Sequence, residues 1–531
     1  MNSDDLRSTA GRWLAAEPDD DIRTELQALI DGDADELAAR FADRLQFGTA
    51  GLRAAVGAGP LRMNRLVVRQ AAAGLAQYLL DTDPLARERG VVVGYDARRK
   101  SDVFAADTAR VMAAVGIPAR LFDQQVPTPV LAWSITHLGC AAGVVVTASH
   151  NPPADNGYKV YLGDGAQIVP PHDVGISACI GRVDATSVPL APDDDPLIST
   201  VGDELVDAYI ASVPAVRRRP DVAGVPVAYT AMHGVGGETV LRAFEAAGLP
   251  APAVVAEQFE PDGSFPTVSF PNPEEPGAMD LLMSVAQSSG AHAALANDPD
   301  ADRLGVAIPQ ADGSWRRLGG DEIGWLFADY LLGSDTGADR LVVTTLVSSS
   351  LLGKMAAAHG VHAAETFTGF KWIARAVHEH PDLRFVMGYE QALGYLVAAA
   401  PLDKDGITAA VLFAEMAAVA AAEGRTMQDW LDDLASRFGR HVLADAAVRM
   451  QPADAAAKVA ALRAAPPAAI GGRAVVATDE YPEADLVRFE LEGGVRVQIR
   501  PSGTEPKVKL YGEAVDEDPK PFVDALAALL A

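Results

Sequence analysis

The chain has 531 residues, of which 49% are hydrophobic and 22% charged, and its 44 basic against 72 acidic side chains give a net charge of -28. That length predicts several domains with ample buried core, and so acidic a surface argues against nucleic acid and anionic membranes as partners, leaving any anionic ligand to a local cluster of basic groups and metal. Two cysteines without metal spacing, Cys140 and Cys179, predict a reduced, cytoplasmic setting; Met1 to Arg7 lacks the pattern of a signal peptide, and the apolar stretch Val411 to Ala422 is interrupted by Glu415 and too short to span a bilayer.

In chain order, the first clear unit is a strand at Val91 to Tyr95, a helical stretch ending at Gly116 and a strand at Ala119 to Phe122. The apolar run Gly143 to Val146 then reads as a buried strand feeding a Pro-bounded loop, Thr147-Ala-Ser-His-Asn-Pro-Pro-Ala-Asp-Asn-Gly-Tyr-Lys159. Ser149 is expected to be exposed at the strand end. A hydroxyl, an imidazole and an amine so close together suit phosphoryl uptake by Ser149, with His150 and Lys159 handling protons or supplying charge. An ordinary Ser/Asn/Pro turn with a solvated lysine is the alternative.

The strand–helix–strand order repeats with Val225 to Tyr229, a helix ending at Gly248, and Ala253 to Val255. After the small apolar stretch Ala293 to Ala296 comes Asp298-Pro-Asp-Ala-Asp-Arg303. Its alternating carboxylates, Asp298, Asp300 and Asp302, would point the same way on an extended chain and repel one another unless a hard divalent cation sits between them; Mg²⁺ suits such a set. A calcium EF-hand loop is excluded, because its sixth and twelfth positions would be Arg303 and Pro309 rather than Gly and Glu. An exposed acidic turn remains the other reading.

A third repeat runs through Leu341 to Thr345, a helix ending at Gly360, and Val361 to Ala364. Gly at a helix end followed by a strand is the punctuation of αβ units, and three repeats predict three related α/β domains with parallel or mixed sheets. From about Gly439 the pattern changes: a helical stretch from Ala455 to Ala465, short alternating strands around Ala474, Asp485 to Glu490 and Val495 to Ile499, and a last helix from Pro521 predict a C-terminal α+β domain. In Val495 to Ile499 the alternation predicts a half-buried strand that delivers Arg500 on its polar face into Arg500-Pro-Ser-Gly-Thr-Glu-Pro-Lys507. Guanidinium, hydroxyls and a Gly backbone there suit a phosphate dianion, unless the segment is only a basic turn.

Thr147-Ala-Ser-His-Asn-Pro-Pro153, Asp298-Pro-Asp-Ala-Asp-Arg303 and Arg500-Pro-Ser-Gly-Thr-Glu-Pro506 together resemble the α-D-phosphohexomutase superfamily, the phosphoglucomutases and phosphomannomutases. Phe47-Gly-Thr-Ala-Gly-Leu-Arg53, with Arg62-Met-Asn64, resembles its phosphoglucomutase-2 and phosphopentomutase-like branch in particular. The resemblance covers most of the chain and implies four domains around a central cleft, each contributing one loop; the expected spans are 1–205, 206–317, 318–436 and 437–531. It implies phosphoserine at Ser149, Mg²⁺ on Asp298, Asp300, Asp302 and that phosphoserine, and Arg303 beside the transferred group. It also implies substrate contacts from Arg53, from Thr368, Gly369 and Lys371, from Glu390, and from a phosphate loop of Arg500, Ser502, Gly503, Thr504 and Lys507. Glu390 could accept from two adjacent hydroxyls. Here the sequence departs from the family's pattern: Ala392 stands where a serine is usual, with Leu393 and Tyr395 nearby, and the aromatic ring is expected to narrow the cleft.

The activity so implied is reversible phosphoryl transfer between the 1-position and the terminal hydroxyl of an aldose (glucose or mannose 1-phosphate and 6-phosphate) through a sugar bisphosphate such as glucose 1,6-bisphosphate, which also serves as activator. His150 and Lys159 remain alternative bases. Ribose or deoxyribose phosphates would make it a phosphopentomutase, an outside phosphoryl donor a glucose-1,6-bisphosphate synthase, and phosphate release a phosphatase-like hydrolase. A non-catalytic sugar-phosphate-binding protein would need neither Ser149 nor the aspartates. The expected partners are small-molecule sugar phosphates, with a monomer or homodimer as the assembly.

Overall fold

Runs of buried aliphatic residues bounded by turns build the sheets. In the computed structural model, which describes residues 3–32, 34–48, 51–501 and 507–530, the chain packs into two units: Met1–Leu318 with Ala392–Glu423, and Gly319–Gln391 with Gly424–Ala531.

The first unit carries two mixed sheets. One has the spatial order Leu52–Ala55, Asp155–Leu162, Ala142–Val146, Val91–Tyr95, Ala119–Phe122, Ile198–Val201. Its last four strands are mutually parallel, and Asp155–Leu162 runs antiparallel to both neighbours. The central strands are continuous apolar runs because helices cover both faces. Helices Arg65–Thr82 and Ser101–Ala114 bury their small and aliphatic residues on this sheet, and helices Ser3–Ala16, Asp20–Asp31 and Ala34–Arg40 add Leu6, Trp13, Ile22, Leu26 and Leu37 to the same core.

The second sheet has the order Trp315–Arg317, Leu304–Pro309, Ala294–Asn297, Ala228–Thr230, Ala253–Val254. The strand expected from Val225 begins only at Ala228, since Pro226 has no N–H to give to a ladder. Helix Gly406–Ala422 returns to this unit late in the chain and is buried from Gly406 to Ala420. Glu415 within it is fully buried but paired with Arg217 at 2.7 Å, which is how an acid survives in an apolar helix. Among the described residues no single helix is long and apolar enough to cross a membrane.

In the second unit, strand Arg340–Thr345 lies parallel between His362–Thr366 and Arg384–Glu390. The last part of the chain is α+β: a six-stranded antiparallel sheet, ordered His441–Arg449, Lys507–Val515, Val495–Pro501, Leu486–Leu491, Arg473–Tyr481, Ala469–Ile470, with helices Pro452–Ala464 and Lys520–Ala528 completing its core. Val495–Pro501 is not half-buried as its alternation suggests. Arg496 and Gln498, on the nominally polar face, are 7% and 1% exposed.

Candidate active site

Ligand loops in α/β sheets sit at the carboxyl ends of parallel strands, and the first unit follows that rule in both sheets. Strands Val91–Tyr95 and Ala142–Val146 are parallel neighbours. The loop after the first carries Asp96 and Arg98, and the loop after the second carries Ser149. In the other sheet Ala294–Asn297 ends where the aspartate loop begins.

Ser149 is buried, 2% exposed, rather than displayed on the surface as expected. Its φ of 51° is left-handed, a conformation that costs a non-glycine residue about 1–2 kcal/mol. The turn persists because its polar groups are tied down. The Ser149 N–H donates to Thr147 Oγ1 at 2.9 Å, and the buried guanidinium of Arg98 donates to the carbonyls of Ser149 (2.5 Å), Asn151 (2.6 Å), Pro152 (2.8 Å) and Asp155 (3.0 Å). Arg98 itself lies over the Phe265 ring at 4.9 Å. Ser149 Oγ, aimed away from this brace, lies 2.7 Å from Asp298 Oδ2 and 3.2 Å from His150 Nδ1.

Asp298, Asp300 and Asp302 are fully buried, and one carboxylate oxygen of each lies within 4.8 Å of the others. They do not converge by extended alternation. The strand stops at Asn297 and the loop coils, with Ala301 at φ 56° and its N–H on the Asp298 carbonyl. Two contacts hold the coil from outside: Thr128 gives its N–H to the Asp300 carbonyl (3.0 Å) and its hydroxyl to Asp300 Oδ2 (2.7 Å). The start of helix Gly406–Ala422 packs so closely that a Cβ on Gly406 would meet the Arg303 carbonyl at 2.3 Å.

Two ammonium groups face this charge. Lys159 Nζ lies 2.6 Å from Asp300 Oδ2 and 2.9 Å from Asp302 Oδ2, and Lys404 Nζ lies 2.9 Å from Asp302 Oδ2. Burial favours a neutral Lys159, but the two carboxylates outweigh it and raise its pKa. Burial, then the charges of Asp302 and Asp300, push Asp298 up to about 8. His150 is held well below the usual histidine range by burial and by Arg303 and Arg53, so its ring is neutral. Buried Asp300 Oδ1 and Asp302 Oδ1 accept no hydrogen bond. Hard carboxylate oxygens with unused lone pairs beside Ser149 Oγ fit a divalent oxygen-seeking cation, and this set can hold one.

Arg303 follows the triad, with its N–H on Asp298 Oδ1 at 3.0 Å. Arg53, exposed on Leu52–Ala55, reaches Asn151 Oδ1 at 3.0 Å. Thr49 and Ala50 of that motif lie outside the described residues. Ser149, His150, Lys159, the three aspartates, Arg303 and Arg53 thus assemble in one unit. Sequence reasoning missed Arg98, Thr128 and Lys404. Lys404 carried a readable signal: it stands between Asp403 and Asp405, an isolated charged triplet ahead of an apolar helix. Asp403 anchors to Tyr161 (2.8 Å) and Gln167 (2.7 Å), while Asp405 caps the helix and accepts from Tyr209 at 2.7 Å.

The second unit holds the rest. Glu390 ends its strand, 7% exposed, and Lys371 lies in the first turn of Phe370–Glu379, 8% exposed, after Thr368 and Gly369, whose φ is 115°. Both loops leave the same ends of parallel strands that flank Arg340–Thr345. Arg500 is half-buried near the end of Val495–Pro501, and Lys507 opens the paired strand, with Pro501 opposite Val508. Ser502, Gly503 and Thr504 lie outside the described residues. Tyr395, expected to narrow a cleft, is fully buried in the first unit and lines no open surface.

Family models for the phosphoglucomutase/phosphomannomutase α/β/α domains I, II and III match residues 44–187, 206–313 and 319–438, and the model for the C-terminal domain matches 446–520. A Haemophilus influenzae protein named as a probable phosphomannomutase is 44% identical over 469 residues, covering 86% of this chain and 94% of its own. The human phosphopentomutase is 34% identical over 563 residues, covering 96% and 91%. In fold, the chain matches the crystal structure of a phosphoglucomutase/phosphomannomutase family protein from Burkholderia thailandensis with a TM-score of 0.71, at 22% identity over 91% of this chain and 96% of that one. Three α/β domains and a C-terminal α+β domain, together with these relatives, define a phosphosugar mutase, an isomerase that works by phosphoryl transfer. The chain belongs to the phosphoglucomutase/phosphomannomutase family.

Proposed function

We propose that this mutase interconverts the 1-phosphate and 6-phosphate of glucose or mannose, with Ser149 carrying the phosphoryl group and a sugar bisphosphate as the intermediate. The observation that carries the proposal is Ser149 Oγ, held in a strained turn 2.7 Å from Asp298 and directly beside the buried aspartate cluster.

Asp298, Asp300, Asp302 and the phosphoserine oxygens would hold Mg²⁺, which supplies charge neutralisation for the group in transfer. Arg98 fixes the Ser149 backbone, so the acceptor oxygen does not wander. Arg303, whose Nε lies 3.9 Å from Asp302 Oδ1, and Arg53 offset charge on the migrating phosphoryl group. His150, neutral and 3.2 Å from Ser149 Oγ, is the group able to take the proton of the incoming sugar hydroxyl, while Lys159 stays an ammonium and contributes charge. Glu390 accepts from two sugar hydroxyls, Lys371 adds a cation beside them, and Arg500 with the loop reaching Lys507, including Ser502, Gly503 and Thr504, receives whichever phosphate is not reacting. The bisphosphate then turns around and returns its other phosphate to Ser149. The domain spans that serve these roles are 1–205, 206–317, 318–436 and 437–531.

A pentose reading has its own support: Ala392 provides no hydroxyl beside Glu390, which removes a contact that would distinguish hexose stereochemistry. Mass spectrometry for phosphate on Ser149, together with glucose, mannose, ribose and deoxyribose 1-phosphates as substrates, tests both. Ser149→Ala should abolish turnover while sugar-phosphate binding persists; turnover within tenfold of the parent refutes the assignment. Phosphate release without isomer formation would mark a hydrolase, dependence on an outside phosphoryl donor a bisphosphate synthase, and binding without turnover in the parent a sensor.

A further inference from the structure

The second unit contains a buried knot of charge that the phosphoryl-transfer reading leaves unused. Arg496 and Glu513 are register partners on Val495–Pro501 and Lys507–Val515, joined at 2.7 Å. Both leave the sheet toward the turn after Arg340–Thr345. Arg496 Nη2 donates to the Ser348 carbonyl at 2.6 Å. Glu513 accepts from Ser349 Oγ at 2.5 Å and from the Ser350 N–H at 3.0 and 3.1 Å, so it caps helix Leu351–His359 from another domain. His441 Nδ1 lies 2.7 Å from the same carboxylate, and Lys354 Nζ lies 2.9 Å from His441 Nε2. Beside the knot, Leu346, Val347 and Leu486 form a small apolar seam with Phe367, Tyr481 and Tyr511.

The turn on which the knot closes also supports the sugar-recognition loop. Ser348 Oγ donates to Gln391 Oε1 at 3.1 Å and accepts the Gln391 N–H at 3.2 Å, immediately after Glu390. Asp321 Oδ1 accepts from the Ser349 N–H at 2.7 Å and from the Tyr389 hydroxyl at 2.9 Å, immediately before it. On the other side, Arg496 shares its strand with Arg500, and Glu513 shares its strand with Lys507. Strands are stiff, rising about 3.3 Å per residue, so anchoring positions 496 and 513 anchors both ends of the phosphate clamp.

We infer that Arg496 and Glu513 are positioning residues that fix the separation between the sugar-reading carboxylate of Glu390 and the phosphate-binding pair Arg500 and Lys507, and that this separation is what measures the length of the sugar phosphate. The inference rests on the mutase reading above. A rigid span recognises a fixed distance between phosphate and ring hydroxyls, and hexose and pentose phosphates differ in that distance by about one carbon. Discrimination by such a difference in size amounts to about 10 to 200-fold.

The test compares parent, Glu513→Gln and Arg496→Lys on glucose 1-phosphate and ribose 1-phosphate, with kcat and KM separated for each. Loosening the knot should compress the parent's preference ratio in kcat/KM toward one by fivefold or more, chiefly through KM. An equal loss on both sugars, no change in the ratio, or a parent that prefers neither by fivefold overturns the inference. Should either charged variant fail to fold, Ser349→Ala removes one hydroxyl bond to Glu513 and should shift the ratio in the same direction by about twofold; an unchanged ratio refutes it equally. Calorimetric binding of the two sugar phosphates to Ser149→Ala protein, with and without Glu513→Gln, reads the same preference without turnover. Compression there with an active Ser149→Ala enzyme would sink the serine assignment and leave the positioning role standing.

Discussion

Replacing Arg98 by lysine isolates the support of the nucleophile from the nucleophile itself. The guanidinium gives four hydrogen bonds to carbonyls at Ser149, Asn151, Pro152 and Asp155, and Arg98 is only 3% exposed. A lysine keeps the charge but offers three donors from one point, which cannot span four carbonyls spread along a loop. Loss of two such bonds, each contributing about 1.5–3 kcal/mol when one partner is charged, should lower the folding free energy by about 3 kcal/mol after relaxation. The catalytic loss follows from the Ser149 backbone. With its left-handed conformation about 1–2 kcal/mol uphill and the brace weakened, the reactive arrangement becomes a minor state, and a displacement of about 1 Å at the attacking oxygen costs about 10²-fold. A coupled mutase assay should therefore show kcat lower by about 10 to 100-fold with KM within threefold, because no proposed sugar contact has been touched. Added guanidinium ion should restore part of the rate to Arg98→Ala. A kcat within threefold of the parent, or a KM that rises as kcat falls, refutes the reasoning.

Asp300→Asn removes one ligand charge and should weaken Mg²⁺ about tenfold or more by titration, lowering kcat more than sugar binding; turnover of the parent in excess chelator would contradict the metal site. Gly406→Ala places a Cβ against the Arg303 carbonyl and Asn297 Nδ2 at 2.3 and 2.5 Å, so the aspartate loop must shift; Mn²⁺ affinity measured by EPR should fall while sugar-phosphate binding stays within twofold. Glu17 is 3% exposed, and burial raises its pKa from 4.5 to about 7. Because the folded value is the higher one, its ionisation opposes folding: the cost is absent below about 4.5, grows up to about 7 and is complete above, at most ~3 kcal/mol. Glu17→Gln should then melt higher than the parent in urea at pH 8 and equal it at pH 4.5; equal midpoints at both would remove the assignment.

The chemistry-bearing residues were legible in the sequence more fully than their surroundings. Three alternating aspartates announce a cation site however the backbone brings them together, and here a coil through left-handed Ala301 does so in place of an extended strand. Ser149 was legible as a strand-end hydroxyl, yet its burial was not, because the groups that enclose it come from Arg98 in the loop after the neighbouring strand and Asp298 in a loop of the other sheet. An arginine in Tyr95-Asp-Ala-Arg-Arg-Lys100 looks solvated until the adjacent loop is in place. The alternation in Val495–Pro501 correctly gave a strand but not its burial, since Arg496 meets the turn at Ser348 instead of water and Gln498 beside it is buried too. Periodicity reports how a segment partitions between polar and apolar; it cannot say whether the polar side meets solvent or another domain's charges.

The late return of 392–423 to the first unit sets an order for biosynthesis. The aspartate loop leaves the ribosome well before Lys404 and the helix Gly406–Ala422 that seat it, and at about 5–20 residues per second that interval lasts several seconds. During it, the surface that this largely apolar helix covers stays open, and the second unit's Gly319–Gln391 must emerge in between. A nascent chain halted near residue 318 would hold three aspartates with one of their two lysines and an uncovered hydrophobic face, a natural client for a chaperone. For the same reason no contiguous fragment reproduces the first unit; a soluble version would have to splice 392–423 onto 1–318 through a designed linker.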